Sequence, residues 1–212
     1  MSDRLWQQLG AASGIVYVVL LMGGGSFDDN TVGIAFLVVM LAFLLFLFFL
    51  GNLWSALRRA EGGSGWLSAT AFGAGLMSVT IKVASTAPLL AARYRAGDGL
   101  DPQLARTLED INDASFALSF FPLAVLLAAF AIVAIRSGAF PKWLGWIAAA
   151  LSLAFMVGGM SRSADLQGEW AGLPMILFMF WVIAASIVLI QRAGAVHPAG
   201  RSEPVAPAST PS

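Results

Sequence analysis

The sequence predicts an all-α fold, a polytopic transmembrane bundle of six helices. Three observations predict it. Of the 212 residues, 58% are apolar and only 11% are charged, under half the roughly 25% charge usual in soluble domains. Mean hydropathy is +0.81. The apolar residues gather into six runs that approach or exceed the ~20 residues a helix needs to cross a hydrocarbon core. A soluble domain of this length needs far more charge to cover its surface. An ordinary cytosolic enzyme, a nucleic-acid binder and a disordered chain are therefore excluded.

The runs are 9–26, 32–57, 66–92, 113–135, 143–160 and 173–190. Backbone groups in hydrocarbon must bond internally, so each run is a helix or a barrel strand. Their length and lack of period-2 alternation decide for helices. The first run follows Arg4 and ends in Gly23-Gly24-Gly25-Ser26. Asp3 offsets Arg4 and there is no A-x-A cleavage site, so the run reads as a retained helix rather than a signal peptide. The second holds the dense stretch Phe43-Leu44-Leu45-Phe46-Leu47-Phe48-Phe49-Leu50. The fourth is prolonged outward. Asp101 is a good helix cap, Pro102 suits the first helical position, and Leu104, Leu108 and Ile111 recur at helical spacing. Residues 102–135 read as one long helix whose part 102–112 stands outside the membrane, with a kink at Pro122 that frees the carbonyl of Leu118. The fifth opens on Phe140-Pro141-Lys142-Trp143, an interfacial anchor with Trp146. The tail, 193–212, is Pro/Ala/Ser-rich and reads as disordered in the cytoplasm.

Orientation follows from the basic residues. With a cytoplasmic N-terminus, Arg4, Arg58, Arg59, Arg136, Lys142, Arg192 and Arg201 lie inside, seven in all. Arg93, Arg95, Arg106 and Arg162 lie outside, four in all. Both termini are therefore expected in the cytoplasm.

The counts remove much chemistry. There is no cysteine and one histidine, His197, in the polar tail. Disulfides, thiolate nucleophiles, zinc–thiolate and iron–sulfur sites, bis-histidine haem and HExxH zinc chemistry are excluded. No Walker A loop or GxGxxG fingerprint occurs. No cofactor or metal is called for. Net charge is zero, so no global field attracts nucleic acid.

Three polar sets remain as candidates. Lys82 lies within the third run, where insertion of a lysine costs on the order of 2.5–3.5 kcal/mol. Gly75, Ser78, Ser85 and Thr86 share its helical face. That stripe fits the floor of an outward-facing pocket for an anionic or carbonyl-bearing ligand. It equally fits a snorkelling or ion-paired lysine on a helix–helix contact. The second set is Glu109, Asp110, Asn112, Asp113, Ser115 and Ser119 at the outer start of the fourth span. It fits a cation-binding rim, a partner for Lys82 or Arg162, or a solvated helix start. The third is Ser161-Arg162-Ser163 with Asp165, Gln167 and Glu169, a vestibule wall or a surface loop. Asn52, near the inner end of the second span, is expected to bond another helix, and Gly10 with Gly14 forms a GxxxG contact pattern.

Residues Arg136-Ser137-Gly138-Ala139-Phe140-Pro141-Lys142-Trp143-Leu144-Gly145-Trp146 resemble a recurring turn in small bacterial six-helix membrane proteins of unknown function. Gly14-Ile15-Val16-Tyr17 is similar to the first helix of that group. The resemblance implies a bacterial inner-membrane protein with no assigned reaction, and it carries over no catalytic residue. The expected partners are the lipid bilayer and a small-molecule or lipid ligand held by Lys82, Ser78, Ser85, Thr86, Asn112, Asp113, Ser115, Ser119 and Arg162. A structural or interaction subunit without a ligand is the alternative, and a membrane-embedded enzyme on a lipid substrate is the third reading.

Overall fold

A computed structural model describes residues 3–24, 32–95, 99, 101–164 and 172–195. They form seven helical segments: α1 (Asp3–Gly24), α2 (Val32–Glu61), α3 (Trp66–Arg95), α4 (Pro102–Leu118), α5 (Phe120–Ser137), α6 (Lys142–Ala164) and α7 (Gly172–Ala195). Six stretches within them are long and apolar enough to cross a membrane, because α4 and α5 together make one span, Pro102–Ser137. The last helix runs to Ala195, so the first three residues of the expected tail are helical; 196–212 lie outside the described residues.

The expected single helix over 102–135 is interrupted at Ser119. Ser119 keeps helical dihedrals, φ −66° and ψ −15°, so the interruption is a bend. Its cause lies three residues on. Pro122 has no N–H for the carbonyl of Leu118, and the next bond, from Leu123 N to the carbonyl of Ser119, is stretched to 3.4 Å. Ser78 of α3 donates to that same carbonyl at 3.2 Å, so a neighbouring helix supports the weakened turn.

Successive spans are neighbours, and the ring closes where α1 meets α7. Within the ring α2 also reaches α5 and α7. The α5 segment is apolar on every side, and Phe120, Leu123, Leu126, Leu127 and Phe130 are all buried. A helix of that composition belongs inside a bundle. Aromatic rings run through the middle as a chain: Tyr17 to Phe46 at 4.6 Å, Phe46 to Phe178 at 6.1 Å, Phe178 to Phe155 at 5.8 Å, and Phe155 to Phe120 at 5.0 Å. Phe116 continues it at 5.0 Å from Phe120. Edge-to-face pairs dominate this chain, the arrangement that ring quadrupoles favour. On the outside, Leu37, Phe48, Leu153 and Phe180 are each more than 60% exposed. Such side chains lose nothing against lipid tails, so the six apolar spans imply contact with a bilayer.

The α2–α3 turn shows how closely one end is built. Gly65 sits at φ +68°, and a Cβ there would collide with the Arg58 side chain. Arg58 donates to the carbonyls of Gly62 and Gly63 at 3.1 and 3.0 Å. Glu61 reaches across to the start of α3, accepting from Leu67 N at 3.0 Å, Ser68 N at 2.8 Å and Ser68 Oγ at 2.8 Å. It thus caps a helix that its own helix precedes, with its charge at the positive end of the α3 dipole. Glu61→Ala is expected to cost about 1 kcal/mol, the usual loss of a good cap. Unfolding in mixed micelles checks it, and a variant as stable as wild type would deny the capping role.

Candidate functional site

The α3–α4 seam brings together most of the polar residues singled out by the sequence. Ser78, Lys82 and Ser119 line one internal cavity with Tyr17, Phe46 and Phe178. Its volume is about 20 Å³, room for a single water. The Lys82 ammonium stands over the Phe116 ring, 4.5 Å from its centroid, a cation–π contact that offsets part of the cost of a charge at this depth. Further out, Ser85 Oγ lies 2.9 Å from the Lys82 carbonyl and 3.4 Å from Asn112 Oδ1. Asn112 Nδ2 in turn donates to Asp113 at 3.3 Å.

Other members are engaged on their own helices. Thr86 donates to the Val83 carbonyl at 2.6 Å, Ser115 to Ile111 at 2.8 Å and Ser119 to Phe116 at 2.7 Å. Gly75, on the same stripe, is where α3 presses on its neighbours, since a Cβ there would stand 2.7 Å from both Leu50 and Leu126. The stripe therefore serves helix contact as well as polarity. Among the described residues α3 and α6 are not in contact, with α4 and α5 standing between them. The side chain of Arg162 lies outside the described residues, as do Asp165, Gln167 and Glu169.

A second polar concavity lies at the opposite end of the bundle. It occupies about 410 Å³ and is lined by Gln7 of α1, Asn52, Ala56 and Arg59 of α2, and Leu189 and Arg192 of α7. The Asn52 amide donates to the Gln7 carbonyl at 3.1 Å, the interhelical bond expected of it. Gly10 makes that approach feasible, as a Cβ there would already be 3.0 Å from Asn52 Cβ. Arg59 donates to Ser55 at 2.8 Å, which uses one of its five N–H groups. The Arg192 guanidinium carbon stands over the Phe140 ring, 4.6 Å from its centroid. A cation–π contact of this kind uses none of the guanidinium N–H groups as a conventional hydrogen-bond donor. Among the described residues no carboxylate lines this cleft.

In the sequence Arg59 and Arg192 read only as topogenic charges. The signal available was that both close an apolar run on the same side of the membrane. Their convergence requires α2 and α7 to pack together, and no periodicity reports that.

No protein-family model, curated protein or solved structure matches this chain. The resemblance carried by 14–17 and 136–146 therefore identifies no family. The chain is an integral membrane protein by its own architecture: an all-α bundle with six stretches able to span a bilayer.

Proposed function

We propose that this protein is a binding module of the bacterial inner membrane, transport-related in character, and that it takes an anionic small molecule or lipid at the Arg59–Arg192 cleft. The observation that carries the proposal is two arginines sharing one 410 Å³ cleft with amide side chains and, among the described residues, no carboxylate in its lining. Like charges gathered without a counter-charge repel, and an anion that bridges them relieves the repulsion. Guanidinium forks match phosphate oxygens in pairs, and the Gln7 and Asn52 amides offer further polar contact. The excess of basic residues on this side makes it the cytoplasmic side, with both termini there.

A second reading keeps the ligand at Lys82, in an outward-facing pocket. In its favour, Ser78, Lys82 and Ser119 line a common cavity. Against it, that cavity has room for only one water, and the lysine already rests on Phe116. A ligand-free structural subunit would need neither cleft nor pocket.

Thermal unfolding of detergent-purified protein with inorganic pyrophosphate, at constant ionic strength, tests the first reading. Wild type should gain stability as ligand is added, by the mass-action relation for binding to the folded state alone. Arg59→Gln with Arg192→Gln should lose that gain, while Lys82→Met should keep it. A gain that survives the double arginine variant and disappears in Lys82→Met would transfer the site to α3.

A further inference from the structure

We infer that the Arg59–Arg192 cleft holds the headgroup of an anionic phospholipid, with an acyl chain lying in the groove between α1 and α2. The inference rests on the cleft being an anion site and names the class of anion. What motivates it is adjacency across the Asn52–Gln7 bond. A groove of about 700 Å³ runs along α1 and α2, and Gln7 and Asn52 line both it and the dibasic cleft. Away from that junction the groove is apolar, walled by Leu9, Val16, Leu45 and Phe48. Leu9, Val16 and Phe48 are exposed, Phe48 at 68%, so the groove opens toward the surrounding lipid.

Its dimensions agree with the occupant. From Gln7 to Val16 a helix rises about 13 Å at 1.5 Å per residue. Half of a ~30 Å hydrocarbon core is ~15 Å, so the groove spans about one leaflet. Trp6 lines the groove beside Gln7 at its polar end, and tryptophan is at home at headgroup depth. A soluble phosphate would occupy the cleft alone. An amphiphile fills cleft and groove together, with its charge against the two arginines and its chain against apolar walls. Basic pockets between helices at a membrane surface recognise anionic headgroups on this principle.

Gly51 provides a clean probe. It lines the groove, and a Cβ placed on it meets nothing within 4 Å. Gly51→Leu therefore fills the groove without a clash on the backbone side, and leucine is a better helix former than glycine. The experiment is native mass spectrometry of delipidated full-length protein. Palmitoyl-oleoyl phosphatidylglycerol and palmitoyl-oleoyl phosphatidylcholine compete at equal concentration. Wild type should retain phosphatidylglycerol about 10–30-fold in excess, the preference expected of two cations near an anionic headgroup. Arg59→Gln with Arg192→Gln should bring the ratio to about one. Gly51→Leu should cut phosphatidylglycerol retention about tenfold or more while the pyrophosphate response stays intact. Equal retention of the two lipids by wild type overturns the inference even where pyrophosphate still stabilises the protein. Unchanged retention by Gly51→Leu overturns it too. A wild type indifferent to pyrophosphate removes the anion site beneath it.

Discussion

Trp181→Ala is expected to destabilise the bundle by about 3 kcal/mol, the lower end of the range for truncating a buried tryptophan. The lower end applies because lipid tails are as apolar as the core, so the loss is packing rather than transfer from water. Trp181 is 2% exposed, edge-on to Phe130 at 4.9 Å and stacked on Phe178 at 6.0 Å. Its indole N–H donates to the Leu144 carbonyl at 3.3 Å, tying α7 to the start of α6. The consequence extends to the dibasic cleft. Phe130 supports Phe140 at 5.2 Å, and Phe140 is the ring on which Arg192 lies. Trp181→Ala should therefore also weaken the pyrophosphate response at temperatures where the protein remains folded. Reversible unfolding in mixed micelles, followed by far-ultraviolet circular dichroism, measures the first effect. A loss below about 1 kcal/mol, the scale of a minor packing change, would mean the cavity collapses or the ring is not load-sharing.

Gly14→Ala should cost about 1–3 kcal/mol, the usual penalty for overpacking a filled contact. A Cβ at position 14 would lie 2.6 Å from Cδ2 and 3.1 Å from Cγ of Phe49, and it would collide with the Ser186 hydroxyl. Phe49 is fully buried and has nowhere to move, so α1 must back away from α2 and α7. The Ser186 hydroxyl has no hydrogen-bond partner among the described residues. Ser186→Ala alone should therefore change stability by under about 0.5 kcal/mol, since no bond is lost. In combination it should recover part of the Gly14→Ala loss, leaving the share due to Phe49. A double variant no better than Gly14→Ala would assign the whole clash to the ring. The GxxxG pattern of Gly10 and Gly14 thus has a physical meaning here: both positions admit the side chains of a neighbouring helix.

Asp101 accepts from Gln103 N at 2.8 Å, and Pro102 opens α4, as a local cap motif specifies. The weak turn before Pro122 was legible because it follows from one missing N–H. Its full interruption at Ser119 was not, because the hydroxyl that stabilises the bend comes from Ser78, forty-one residues away. The face of Lys82 was legible from helical spacing. That its ammonium rests on Phe116 and that its cavity is the size of one water were not, since both depend on how closely α3 and α4 approach. The arginine cleft was hidden for the same reason. Arg59 and Arg192 are far apart in the chain and meet only because α2 and α7 pack together.

By itself the sequence determined the solvent. Its apolar runs are long enough that the backbone must be helical and the surroundings must be lipid, because unpaired peptide groups in hydrocarbon cost several kcal/mol each. Helix number, cap positions and the weak turn near Pro122 follow from the same local rules. Only the tertiary structure decided which polar groups meet, because lipid tails are as apolar as leucine and the hydrophobic pattern does not choose between neighbours. That choice rests on close approach at Gly14 and Gly75, on the aromatic chain through the centre, and on a few interhelical bonds such as Asn52 to Gln7.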